Sequence, residues 1–303
     1  MKTKNSLLPF ALPAALLCAA RLWEVLSGRI EPNSGYLKYG MRWYHYAAIV
    51  LIAGACILCA RRFKSIVPPR SYEIKAGSAV GTFAALSALG ALAASAVDAA
   101  AILSEHSLSH LFMTRSQLAA LGYYSTGFRI SLLSDIFGAA AAVYLMLFAL
   151  CVLGRHVFYD NLALSMALPV WLCLRAVARF ATGFVNSHDT VTVAAVVGCM
   201  ILANTSVAAE RFISTDDSAK SARTLITLSL LSLYLCCGLL APCVLRRMAD
   251  GETSSAIFYA AIALISIFTA LLSGDIIAAV PNNIESGNND GNNNSPGGTE
   301  EEK

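Results

Sequence analysis

Arg175 and Arg179 stand four residues apart inside the apolar run 167–183, ALPVWLCLRAVARFATG. That spacing is about one helical turn, so both guanidinium groups would share one face of a membrane helix. Arg21 and Glu24 lie in a similar setting, three apart within 11–28, ALPAALLCAARLWEVLSG, and Asp98 and Asp135 sit in two further apolar runs. An ionisable group at membrane depth costs a few kcal/mol and marks a functional position by default. Arginine adds a planar fork of donors that matches a carboxylate or phosphate. The expected chemistry is therefore contact with a small anionic ligand by Arg21, Arg175 and Arg179, with Glu24, Asp98 and Asp135 as counter-charges or coupling groups. The bland alternative uses the same residues: arginines snorkel to the interface, and the ion pairs only hold helices together.

Other chemistry finds less to stand on. The chain has no H-E-x-x-H, G-x-S-x-G, G-x-G-x-x-G or Walker-type phosphate loop, and nothing resembling a nucleic-acid motif. Tyr159-Asp160 and Ser273-Gly274-Asp275 bear some resemblance to the paired aspartates of presenilin-type intramembrane aspartyl proteases. That resemblance would imply two carboxyl groups sharing one proton. The chain departs from the pattern at Leu272, where that family has glycine, and lacks its proline-alanine-leucine motif. His106 and His110, with Glu105 beside them, have a helical metal-ligand spacing but no third ligand at a diagnostic distance. The nine cysteines all fall in or beside apolar runs, and Cys56-x-x-Cys59 stands alone, so they read as small packing residues. No catalytic residue, metal or cofactor is expected.

The elements that must position these charges follow from composition. The chain is 57% hydrophobic and 14% charged over 303 residues, with a mean hydropathy of +0.62. A soluble domain is about 25% charged, and this apolar excess exceeds what a core of this size can enclose. A net charge of +3 is small and scattered. The fold expected is an all-α integral membrane protein. A span needs about 20 apolar residues, and eight are expected near 6–26, 43–60, 77–103, 132–154, 161–182, 190–209, 224–245 and 255–280. Lys2 and Lys4 before an apolar stretch also describe a signal peptide. The stretch continues through Trp23 to Leu26 without a small-x-small cleavage site, which favours a retained first helix.

Lysine and arginine in the connections set orientation. The cluster Arg61, Arg62, Lys64, Arg70 and Lys75 would face the cytoplasm, placing both termini inside a bacterial cytoplasmic membrane. The helix-embedded charges then gather toward the outer side, leaving the inner two-thirds of those helices nearly uncharged. That argues against a proton relay through the full membrane. The outer connection 104–131 places Leu108, Leu111, Phe112, Leu118 and Leu121 at roughly helical spacing, as in a short amphipathic helix that caps the bundle. Residues 282–303 are Asn- and Gly-rich with an acidic end and are expected to be disordered.

Three echoes suggest a 4+4 internal repeat with parallel halves, 1–154 and 155–281: Ala11-Leu12-Pro13 with Ala167-Leu168-Pro169, Ala60-Arg61-Arg62-Phe63 with Ala209-Glu210-Arg211-Phe212, and Ile136-Phe137 with Ile257-Phe258. Pro13 and Pro169 should kink their helices by removing a backbone donor. The leading function is a transporter or permease with an outward-facing charged vestibule. The rival is a non-transporting sensor or accessory subunit, and the third is the aspartyl protease.

Overall fold

The computed structural model describes residues 8–28, 78–106, 108–120, 127–154, 162–183, 190–214 and 218–279, together with positions 47, 50 and 54. Every described element is helical: α1 (Leu8–Leu26), α2 (Ser78–Glu105), a 3-10 turn (Leu108–Leu111), α3 (Arg115–Ala120), α4 (Gly127–Leu153), α5 (Leu162–Ser165), α6 (Ala167–Gly183), α7 (Thr190–Ser214), α8 (Ser218–Ser232), a π segment (Leu233–Leu240), α9 (Ala241–Ala249) and α10 (Thr253–Ala279). Among the described residues, six stretches are long and apolar enough to cross a membrane: Ser78–Glu105, Gly127–Leu153, Ala163–Phe180, Val191–Ala209, Arg223–Ala249 and Thr253–Asp275. The chain is an all-helical, multi-pass protein of the lipid bilayer. Apart from positions 47, 50 and 54, the expected span 43–60 with its C-x-x-C lies outside the described residues, as do the basic cluster 61–75, Asp160 and the tail 282–303.

The spans pack as a ring: α2 against α4, α4 against α6, α6 against α7, α7 against α8, and α8 with the π segment against α10, which returns to α2. In lipid the association depends on close van der Waals packing, which small residues permit. The buried face of α2 is made of such residues, Gly81, Ala84, Ser87, Ala88, Ala91, Ala94 and Ser95 among them. A Cβ on Gly90 would come within 3.2 Å of the Ala261 Cα, so α2 and α10 meet almost backbone to backbone there. Trp171, Phe258, Tyr259, Leu145 and Leu202 fill the centre. α1 lies against the π segment and α9, where Leu17 enters the gap left by Gly238.

The prolines behave differently from one another. α1 runs without interruption through position 13. At Pro169 the helical run is interrupted: α5 ends at Ser165, the helix breaks at Met166, and Pro169 falls in the first turn of α6. Its ring would clash with the carbonyl four residues back, at Ser165, while its missing N–H is harmless in a first turn. The strongest proline effect comes from Pro242. Just before it the backbone widens to the π segment, where the Ala241 N–H donates to the Cys236 carbonyl, five residues back. The widening relieves the clash between the Pro242 ring and the Gly238 carbonyl.

Within the connection, residues 108–120 depart from expectation. They form a 3-10 turn followed by a six-residue helix, not one amphipathic helix. Leu118 is fully buried, whereas Phe112 is 89% exposed. The break falls at Thr114, which begins α3 with a capping box: its backbone N–H donates to Gln117 Oε1 at 2.8 Å, and the Gln117 N–H donates to Thr114 Oγ1 at 3.4 Å. Arg129, in the first turn of α4, donates to the carbonyls of His110 (3.0 Å) and Met113 and so clamps the connection to the bundle. His106 stacks on Phe128 with ring centroids 4.3 Å apart.

Candidate functional site

The charges converge at the end of the bundle that carries this connection. Asp98 lies in the last third of α2, Asp135 in the first third of α4, Arg175 at the middle of α6 and Ser254 at the start of α10. Arg175 is 3% exposed and Asp135 5%. One Arg175 Nη donates to Asp98, and the other donates to Asp135 Oδ1 at 2.9 Å and to the Ala94 carbonyl at 3.4 Å. Ser254 Oγ donates to the second oxygen of Asp98 at 2.9 Å. One buried cation thus joins two carboxylates from different helices, and a hydroxyl brings in a fourth helix. Asp98 is the accessible member, with its side chain 20% exposed.

Arg179, one turn along α6, adjoins this triad. Its Nη1 donates to Ser255 Oγ at 3.2 Å, and its guanidinium lies over Phe258 at 4.6 Å and Tyr259 at 5.4 Å. Arg175 faces the same Phe258 ring at 5.5 Å. Attraction to the ring quadrupole partly replaces the hydration the two cations lose. The two arginines and two aspartates sum to zero formal charge.

Arg21 and Glu24 are not partners of this triad. They pair with each other at 3.3 Å on α1, and both are buried. Among the described residues, the six charged residues expected at one vestibule fall into two groups, Arg21 with Glu24 on α1 and the other four on α2, α4 and α6. Among the described residues no group of three or more His, Cys, Asp or Glu is arranged to hold a metal. Among the described residues, none of the seven cysteines forms a disulfide. Of the pair Asp160 and Asp275, only Asp275 is described, near the end of α10.

Sequence reasoning missed a second layer one turn deeper. Ser95 precedes Asp98 by three residues on α2, Trp171 precedes Arg175 by four on α6, and Gly138 follows Asp135 by three on α4. A Cβ on Gly138 would lie 2.0 Å from Ser95 Oγ and 2.7 Å from Trp171 Nε1, so those two polar atoms crowd against the bare α4 backbone. Stepping one helical turn from each charged residue would have found all three. Ser254 gave no such signal, because its place beside Asp98 depends on how α10 packs. Compared with known proteins, the chain matches no protein family, no curated protein and no solved structure.

Proposed function

We propose that this protein is a permease-like transporter whose solute site is the triad of Asp98, Arg175 and Asp135. The observation that carries the reading is Arg175 itself: a buried guanidinium already holding carboxylate groups at one end of the bundle, with one of them at the rim. A small solute bearing a carboxylate or phosphate would take the place of Asp98 on Arg175, leaving Asp98 to Ser254. Asp98 is then a built-in competitor, and exchange of partners couples solute binding to the contact between α2 and α10. On this reading the chain has eight spans in two four-helix halves of like orientation. Both termini are cytoplasmic, and the site opens outward from a bacterial cytoplasmic membrane.

The second reading, a non-transporting sensor or accessory subunit, is favoured by the protein oxygens already bound to both terminal Nη nitrogens of Arg175. A thermal-shift screen of small carboxylates and phosphates on the purified protein separates the two. The transporter reading expects a ligand that raises the melting temperature and loses its effect in Arg175→Ala. Asp98→Asn, which removes the competitor, should bind the same ligand about tenfold more tightly, roughly 1.4 kcal/mol. A ligand that stabilises Arg175→Ala and the unsubstituted protein equally would overturn the site, and weaker binding to Asp98→Asn would overturn the competitor role.

A further inference from the structure

The first turns of α10 hold two opposite charges that come from two other helices. Ser254 Oγ donates to Asp98 of α2 at 2.9 Å. The next residue, Ser255, accepts from Arg179 Nη1 of α6 at 3.2 Å. The Phe258 ring, one turn on, lies 4.6 Å from the Arg179 guanidinium and 5.5 Å from that of Arg175. Consecutive hydroxyls thus bring Asp98 and Arg179 to the same turn of α10, and Arg179 lies within electrostatic reach of the Asp98 carboxylate. Asp98 itself is bound to Arg175 through one oxygen and to Ser254 through the other.

We propose that Arg179 is a positioning residue, a second seat that takes the Asp98 carboxylate whenever Arg175 releases it. A carboxylate that loses its cation inside a bundle must find another, because a stranded charge is strongly destabilising. Asp98 is the member of the triad that can turn, since it is the accessible carboxylate while Asp135 is buried. Arg179 follows Arg175 by four residues on the same face of α6, a rise of about 6 Å between their Cα atoms. Both long side chains meet at one Phe258 ring, which brings their charged ends together. A guanidinium carries five donors in a fixed fork, so Arg179 can keep Ser255 and hold a carboxylate as well. The faces of Phe258 and Tyr259 hold the cation in place whether or not Asp98 is seated on it. The use of this seat in solute exchange rests on the transporter reading above: a solute on Arg175 would send Asp98 one turn along α6 with Ser254 still attached. The seat itself needs no solute.

A double-mutant cycle on the purified full chain in detergent tests the seat directly. Asp98→Asn and Arg179→Gln are made singly and together, first with Arg175 present and then with Arg175→Gln, and unfolding is measured for each. With Arg175 present the two substitutions should be only weakly coupled, because Asp98 is on Arg175. With Arg175→Gln they should become coupled by about tenfold in the unfolding equilibrium, roughly 1.4 kcal/mol. Arg179→Lys, which keeps the charge, should retain much of that coupling, whereas a role in packing alone would lose stability equally with Asp98 or Asn at position 98. Coupling that does not rise when Arg175 is replaced overturns the proposal. Arg175→Lys is the second background should Arg175→Gln fail to fold, because one ammonium cannot reproduce the fork across Asp98 and Asp135 and so frees Asp98 too. No solute enters the cycle, so the two readings fail separately. Coupling without any anion that raises the melting temperature would remove the transporter and leave the seat, and anion binding without coupling would remove the seat alone.

Discussion

At the scale of residues, the triad predicts an asymmetry between its members. Removing Arg175 leaves two carboxylates facing each other without a cation, and breaking a buried pair from one side costs about 3–5 kcal/mol. Arg175→Ala should lower unfolding stability in detergent by that order. Arg175→Gln combined with Asp98→Asn and Asp135→Asn should lower it less, because no charge is left stranded. Equal losses in the two variants would show that packing, not charge, carries the cost. Gly138→Ala should cost about 1–3 kcal/mol through overpacking against Ser95 and Trp171, read from the same unfolding curves. The charged residues were legible in the sequence because a charge in an apolar run is conspicuous. Their partners were not: Arg21 with Glu24 follows from spacing along one helix, whereas Arg175 with Asp98 and Asp135 spans 77 and 40 residues. Ser95, Gly138 and Trp171 carry no charge and look like ordinary packing residues until the helices are set side by side.

At the scale of elements, six of the eight expected spans were legible to within a few residues, because hydropathy over about 20 positions is a strong signal. The ends were less so. α4 begins at Gly127, not near 132, because Arg129 spends its charge on the carbonyls of His110 and Met113 inside the first turn. The split of the 106–126 connection was written in Thr114-x-x-Gln117, a capping box overlooked beside the leucine spacing. Thr114→Ala should destabilise α3 by about 1 kcal/mol, seen as faster amide exchange across residues 115–120 with the spans unaffected. Pro242 marks the π segment. Pro242→Ala restores the missing donor and lets the stretch close to ordinary α-helix, which rotates Gly238 away from Leu17. A cysteine pair placed at positions 17 and 238 should then crosslink more slowly than with Pro242 present. Unchanged crosslinking would mean that the wide turn is held by its neighbours instead.

At the scale of the whole molecule, orientation is the open prediction. The connection 106–126 should face outward, so Ser116→Cys, on an exposed position of α3, should react with a membrane-impermeant maleimide added to intact cells, and Ser65→Cys should not. The reverse pattern would invert the topology and turn the triad to the cytoplasm. Of the three echoes behind the proposed duplication, one pair sits in unlike surroundings: Phe258 is enclosed beneath the arginines, while its counterpart Phe137 is only partly buried. The helix that closes the ring has a temporal consequence. α10 is made after every other described helix, yet it supplies Ser254 to Asp98 and the aromatic faces to Arg175 and Arg179. During synthesis at about 5–20 residues per second, the earlier helices must wait in the membrane with an uncovered polar flank. A chain stalled before residue 253 would carry that flank indefinitely, a mark by which the membrane's quality-control proteases could tell an unfinished molecule from a complete one.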